Sequence, residues 1–333
     1  MSFAQILGEE RAVAIVRNAL RQNRIPHAYL FVGPEGVGKR LCALTLAKAL
    51  NCLSPPEPAE CCERCPSCMK INSANHADVV VLEPEGEVIK IDQVRELQKR
   101  LRFRPLEGGR RIYILDQVHR LNEAASNALL KTLEEPPEET HWILITSRPH
   151  RLLPTILSRC HWVKFRSLAD AHIEQILREK AGLPQAEAQF YASLAGGSAS
   201  QAEDLSHRVG FEKRLEWLRA FTRIPQKETG EIFDACENFA QEEMRDLLEL
   251  WKIWIRDLTV FKITGAEGGL INHDLQAEIQ EAAGRYSFDR LDSLFAMITR
   301  MENALDLNIN RQLALETLML AMKKAPKGIR PSR

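Results

Sequence analysis

The sequence predicts an α/β protein whose first half is a parallel, five-stranded sheet covered by helices on both faces, with helices alone after it. Three observations carry this. Short β-branched and aromatic runs alternate with helical periodicity over residues 1–166. The glycine-rich stretch Gly33-Pro34-Glu35-Gly36-Val37-Gly38-Lys39-Arg40 lies directly between the first apolar run, 29–32, and a helical run, 41–50. From residue 167 onward no strand-like run occurs.

Taken in order, residues 9–23 read as an amphipathic helix with Val13, Val16, Ala19 and Leu20 on one face, ended by Pro26. The strand 29–32, the glycine loop and the helix 41–50 follow, then a cysteine-rich insertion over 51–68. Residues 78–82 are continuously apolar after Asp78, the pattern of a strand buried on both faces. Asp92 is the expected N-cap of a helix over 93–103 that turns Val94, Leu97 and Leu101 inward. Residues 111–115 form a third strand. Asn122 caps a helix that runs to Glu135 and is stopped by Pro136-Pro137. Residues 142–146 and 161–165 are the fourth and fifth strands. Two short helices, 170–181 and 185–195, flank Gly182-Leu183-Pro184, and Gly196-Gly197-Ser198 precedes a third. Helix 241–263 places Met244, Leu247, Leu248, Trp251, Trp254, Ile255, Leu258 and Phe261 at helical spacing, the wide stripe of a bundle core. The basic end, 323–333, reads as a frayed tail. Three domains are expected: 1–166, a small helical domain over 167–207, and a helical domain over 208–333.

Composition narrows the function. Lys+Arg and Asp+Glu both number 45 in 333 residues, so the chain is formally neutral and lacks the basic excess of a dedicated nucleic-acid binder. No apolar run approaches the roughly 20 residues of a membrane span, and Met1-Ser2-Phe3-Ala4-Gln5 does not open a signal peptide. A cytoplasmic chain is expected, and there the five cysteines among residues 52–68 argue for metal rather than disulfides.

The glycine loop matches G-x-x-x-x-G-K-[ST] except at its last position. Gly33, Gly36 and Gly38 let backbone N–H groups converge on phosphate oxygens, the helix N-terminus adds partial positive charge, and Lys39 adds a full one. Where the motif has a hydroxyl for Mg²⁺, this chain has Arg40. The strand 111–115 ends in Asp116, the acid expected to hold Mg²⁺. The next position, where a glutamate polarises the attacking water, is Gln117, an amide that cannot accept the proton. Two losses in one site predict ATP binding at most, without hydrolysis.

Cys52, Cys62, Cys65 and Cys68 give C-x9-C-x2-C-x2-C, four thiolates for tetrahedral Zn²⁺. Cys61 competes with Cys62, but Cys62 preserves the x2 spacing to Cys65. The insertion carries little basic charge and no aromatics, which argues against a DNA-binding finger. Lys99-Arg100-Leu101-Arg102-Phe103-Arg104 reads as a solvated helix face rather than a DNA-lining segment.

The chain resembles bacterial clamp-loader ATPases of the AAA+ class. The resemblance rests on Ile25-Pro26-His27-Ala28-Tyr29-Leu30-Phe31-Val32-Gly33, Leu50-Asn51-Cys52, Leu129-Leu130-Lys131-Thr132-Leu133-Glu134-Glu135-Pro136-Pro137 and Leu153-Pro154-Thr155-Ile156-Leu157-Ser158-Arg159-Cys160. It is strong over 1–205 and weaker through Asn308-Ile309-Asn310-Arg311-Gln312-Leu313-Ala314-Leu315-Glu316. It implies an AAA+ core, a helical lid domain and an all-helical collar domain that joins subunits. The family's motor subunits, gamma and tau, have a hydroxyl after the lysine, a glutamate after the aspartate, and an arginine two residues after a Gly-Ser pair. Here those positions are Arg40, Gln117 and Ser200, while Ser158-Arg159-Cys160 is intact. The resemblance therefore implies a non-hydrolysing member of the polymerase III clamp loader. Its partners would be the gamma/tau and delta subunits, with the sliding clamp and primed DNA reached through the assembled ring. Arg159 would reach in trans into a neighbour's ATP site. An active motor of the same family, and a small-molecule P-loop kinase with a zinc-bound lid, are the rival readings; Arg40 and Gln117 oppose the first, and the large helical C-terminal region opposes the second.

Overall fold

The computed structural model describes residues 2–101, 104–107, 109–208, 210–265, 269–305 and 310–323. Arg102, Phe103, Asn308, Ile309 and the tail 324–333 lie outside them. The chain forms two compact units: residues 1–181 with 195–202, and residues 182–194 with 203–333.

The first unit runs α1 (Glu10–Arg21), β1 (Ala28–Val32), α2 (Lys39–Asn51), α3 (Pro66–Asn72), β2 (Val79–Leu82), α4 (Ile91–Arg100), β3 (Arg111–Leu115), α5 (Glu123–Glu134), β4 (Thr140–Thr146), α6 (Pro154–Leu157), β5 (His161–Lys164) and α7 (Asp170–Lys180). The five strands form one parallel sheet in the order β2-β3-β4-β1-β5, as the alternation of strands and helices predicts. Successive side chains alternate between its faces. Ala28, Leu30, Tyr113, Leu115, Trp142 and Leu144 pack in one core with Val94 and Leu97 of α4 and Ala125, Leu129 and Leu133 of α5. Tyr113 and Trp142, side by side on neighbouring strands, stack at 4.6 Å. The intervening residues Ile112, Ile114, Ile143 and Ile145 are buried on the opposite face, the side of α1 and α2.

Two expectations need correction. Residues 79–82 are an edge strand, not a doubly buried one: Val79 is buried and Val80, Val81 and Leu82 are half-buried. Asp78 precedes the strand, and its carboxylate accepts from the Leu106 and Glu107 N–H groups, which holds the turn before β3. Asp92 does not cap α4. The cap is Lys90, whose N–H is satisfied by Gln93 Oε1 at 2.9 Å, so the helix starts earlier and Asp92 becomes a first-turn acid favoured by the helix dipole. Asn122, by contrast, caps α5 as expected, its Oδ1 accepting from Ala125 N at 2.8 Å. In the basic segment, Lys99 is exposed and pairs with Glu96 at 3.1 Å.

The second unit holds α8 (Gln185–Leu194) and α9 (Ala199–Arg208), whose first residues belong to the other unit, then α10 (Phe211–Arg223), α11 (Thr229–Ala240), α12 (Met244–Thr264), α13 (Gln276–Ala283), α14 (Phe288–Ala304) and α15 (Arg311–Lys323). The α12 stripe is a bundle core: Trp251 stacks on Phe221 at 4.4 Å and meets Phe239 edge-on. Phe261 is half-buried. Arg214 is fully buried here, between the Phe190 and Phe211 rings, and its charge is met by a two-pronged bond to Asp274 at 2.8 and 2.9 Å. Such pairing is what makes a buried charge tolerable. No described helix is long and apolar enough to cross a membrane.

Glu9 closes the first unit. Its buried carboxylate accepts from Arg166 N at 2.7 Å, fastening the start of α1 to the chain that leaves β5. Burial pushes its carboxyl up to about 7, against the opposing pull of that N–H. The folded chain therefore holds a proton that the unfolded chain releases above about 4.5. Stability from this group is full below the unfolded value and is lost as pH rises through about 7. Glu9→Gln, which keeps an acceptor for Arg166, is expected to unfold at a higher temperature than the wild type at pH 8, with the difference vanishing towards pH 5 in paired thermal melts.

Candidate functional site

The glycine loop leaves the C-terminal end of β1 and enters α2. Gly36 and Gly38 take φ of +73° and +94°, the left-handed region where a side chain is strained. Gly38 is the N-cap of α2. Gly33 has no room for a side chain: an added Cβ would stand 2.5 Å from the Phe165 carbonyl oxygen. Gly36 is closed over by the chain's own residues, since a Cβ there would stand 2.1 Å from Ser198 Oγ and 2.2 Å from Ser200 Oγ. Ala199 N donates to the Gly36 carbonyl at 3.0 Å. Ser200, the residue at the third departure from the motor pattern, thus packs on the loop itself.

Lys39 is buried, and its Nζ turns back on the loop, donating to Gly33 O at 2.8 Å and to Pro34 O. Burial lowers its pKa, and the nearby Asp116, Glu35 and Glu9 charges oppose that. Asp116 stands at the end of β3 as expected. Its Oδ1 accepts from Gln117 N at 2.8 Å, and Gln117 itself is left-handed at φ +52°. Arg40 pairs with Glu83, just past β2, and places Nη1 3.8 Å from Asp116 Oδ2. The residues present do not fit Mg²⁺: a guanidinium faces the carboxylate that the metal needs, and no hydroxyl follows the lysine. The structure thus brings together Gly33, Gly36, Gly38, Lys39, Arg40, Asp116 and Gln117. It adds Glu83, Thr146 at the end of β4, and the Glu35–Ser147 bond at 3.0 Å, none of which the sequence reading named. Only strand order reveals them.

Arg159 lies elsewhere. It follows α6 and stands two residues before β5, at the edge of the sheet where strands begin. The glycine loop leaves the edge where they end. In register, Tyr29 pairs with His161 and Val32 with Lys164, so the two features are separated by about five or six strand residues, on the order of 16–20 Å. An arginine side chain does not span that. The guanidinium is one-third exposed, anchored to Glu134 Oε1 at 2.8 Å and to Thr155 O at 2.9 Å. Cys160 beside it is buried, and burial pushes its thiol up to about 12.

The sulfurs of Cys52, Cys62, Cys65 and Cys68 lie within 4.8 Å of one another. A tetrahedral site with bonds near 2.3 Å has sulfurs about 3.8 Å apart, so this donor set can hold a metal. Backbone N–H groups point at the sulfurs: Cys62 N to Cys52 Sγ and Cys65 N to Cys62 Sγ, both at 3.3 Å, and Cys68 N to Cys65 Sγ at 3.5 Å. The Arg64 N–H pulls the Cys62 thiol down to about 6, against desolvation and with help from the Cys65 N–H. Cys61 is outside the cluster, its thiol on Glu63 Oε1 at 3.2 Å. The module is fastened to the core by the buried Lys48, which binds Glu63 and Asn72, and by His76 on Ser67 at 3.1 Å.

Comparison with known proteins places these features. Residues 8–169 match the family described as DNA polymerase III, delta subunit, and residues 210–324 its C-terminal counterpart. The chain is 32% identical over 322 residues to DNA polymerase III subunit delta′ of Bacillus subtilis, covering 95% of this chain and 96% of that one. The chain belongs to the DNA polymerase III delta′ subunit family. It is also 35% identical over 293 residues to the tau subunit of Bacillus subtilis, of which it covers 52%. The tau/gamma subunit of Haemophilus influenzae is 39% identical over 176 residues, 25% of that protein. A solved Thermotoga maritima protein related to the gamma subunit is 22% identical, with a TM-score of 0.43 over 95% of this chain and 99% of that one.

One metal ion per chain is expected by elemental analysis of the wild type and of Cys61→Ser. Cys62→Ser should lose the metal and melt at lower temperature, because the short insertion has no core of its own.

Proposed function

We propose that this chain is a non-hydrolysing subunit of a polymerase III clamp loader. It helps place the sliding clamp on primed DNA within a ring that includes gamma/tau and delta subunits. It supplies Arg159 in trans to a neighbour's ATP. The observation that carries this is the position of Arg159: partly exposed, oriented by Glu134, and at the sheet edge opposite the chain's own glycine loop. A guanidinium so placed has no substrate in its own subunit. Arginine suits the task because its planar fork stays charged and matches phosphate oxygens. A triphosphate on the neighbour would supply the charge that develops in hydrolysis, and Arg159 would stabilise it.

The chain's own loop supports the non-hydrolysing half of the reading. Arg40 faces Asp116, Gln117 offers no base, and Lys39 is spent on loop carbonyls. For the four cysteines, zinc is the ion that four clustered thiolates favour. Its role in this reading is to order residues 52–72.

The isolated chain is expected to release no phosphate from ATP above background. In the reconstituted loader, Arg159→Ala should slow turnover at the adjacent site by about 10³-fold or more, the scale of an arginine supplied in trans in GTPases. Unchanged single-turnover hydrolysis in that loader would refute the role. Arg40→Thr, which frees Asp116 and restores a hydroxyl, should make nucleotide binding by the isolated chain more dependent on Mg²⁺ than the wild type in fluorescent-nucleotide titrations.

A further inference from the structure

The basic end of the chain has a regular spacing. Residues 324–333 carry Lys324, Lys327, Arg330 and Arg333, one cation at every third position, with Pro326 and Pro331 between them and no acidic side chain. The helix before this segment ends at a defined place. α15 packs antiparallel on α11: Cys236 Sγ lies 3.3 Å from Met319 Sδ, and Lys323 Nζ donates to Thr229 Oγ1 at 3.3 Å. α15 thus ends beside the first turn of α11.

A groove opens next to that point. It runs between α10 and α11 over a floor of Trp217, Ala235 and Phe239. Glu216, Glu231, Asp234 and Glu242 line it, with Lys227 at the end nearest Thr229. Lys213 closes the far end and shows what the groove accepts: its ammonium is 2.5 Å from Glu242 Oε2 and 5.0 Å from the centre of the Trp217 ring. Glu231 is partly engaged, since its Oε2 accepts from Glu228 N at 2.9 Å. Glu216 and Asp234 are exposed, and among the described residues neither has a cation in ion-pair contact.

We propose that residues 324–333 dock in this groove, as a strap along α10 and α11 of the same chain. A polyproline II segment repeats every three residues, so cations three apart stand on one side of it, about 9 Å from one to the next. Segments of this kind dock on aromatic floors. The wall from Glu231 to Glu242 is about 16 Å long at the helical rise, and Lys324 to Arg330 spans about 19 Å in that geometry. Reach is sufficient: ten residues cover about 31 Å, against about 20 Å from Thr229 to Glu242. Four carboxylates facing two ammonium groups leave the groove anionic in a chain that is neutral as a whole. The inference concerns the helical unit and does not rest on the clamp-loader reading.

The test is carbodiimide coupling of the full-length chain, which joins a lysine amine to a carboxylate in contact with it, mapped by mass spectrometry. Lys324 and Lys327 should couple to Glu216, Asp234 or Glu242 of the same chain, in a yield unchanged by dilution. Glu216→Gln/Asp234→Asn should melt like the wild type and lower the remaining coupling to Glu242 by about threefold or more, the scale of two exposed ion pairs. Lys327→Gly/Gly328→Lys, which keeps the charge and breaks the spacing, should lower the coupling of Lys324. Coupling of Lys324 and Lys327 spread evenly over surface acids, or no coupling at all, overturns the proposal. So do unchanged yields in the Glu216/Asp234 double variant. Products that join isotopically labelled to unlabelled copies would assign the groove to a second chain and overturn it too.

Discussion

The constraint on which this molecule depends is that all five strands run the same way. In such a sheet every loop that follows a strand opens on one edge, and every segment that feeds a strand opens on the other. The glycine loop and Asp116 follow strands, and Thr146 ends one. The cysteine module, the turn held by Asp78 and Arg159 precede them. Features hundreds of atoms apart along the chain are thereby sorted into two groups with different work. One edge carries the glycine loop and Asp116. The other carries Arg159 and a four-cysteine module whose donor set can hold a metal.

The contacts of the glycine loop show what holds it in place. Its glycines are still required, because Gly33 meets the Phe165 backbone and Gly36 meets Ser198 and Ser200. Its lysine is still useful as an internal strut: a buried ammonium needs acceptors, and the Gly33 and Pro34 carbonyls provide them. Arg40 answers the carboxylates of Glu83 and Asp116, which would otherwise stand together at the ends of β2 and β3 with no cation between them. A cation is therefore kept where a metal would act, and it is one that no solvent exchange removes.

Much of this was legible in the sequence, and what was not has a common cause. The strands 111–115 and 142–146, the Asn122 cap and the α12 stripe are set by local spacing and were read correctly. The choice of Cys62 over Cys61 followed from x2 spacing, because a cysteine cluster built on a tight turn is a local object. Position within the sheet was not local: the apolar run 79–82 looks like a central strand and lies at the edge. The same holds for partners. Glu83 reaches Arg40, Ser200 reaches Gly36, and Glu134 reaches Arg159 across separations that no periodicity encodes.

The Glu134–Arg159 pair shows why such a partner matters. Glu134 is the last residue of α5, and the helix ends before Pro136-Pro137, so the stop that ends the helix also fixes where the carboxylate stands. The pair is half-exposed, and an ion pair of that kind contributes at most about 1 kcal/mol. That is enough to keep a long side chain from sampling its many rotamers, each of which would cost entropy to suppress on contact. It is too little to compete with a phosphate dianion presented in a water-poor interface, where charge interactions strengthen. A stronger, buried clamp of the kind that holds Arg214 on Asp274 would immobilise the guanidinium for good. The weaker pair orients Arg159 while leaving it transferable, which is the physical requirement of the role in trans proposed for it.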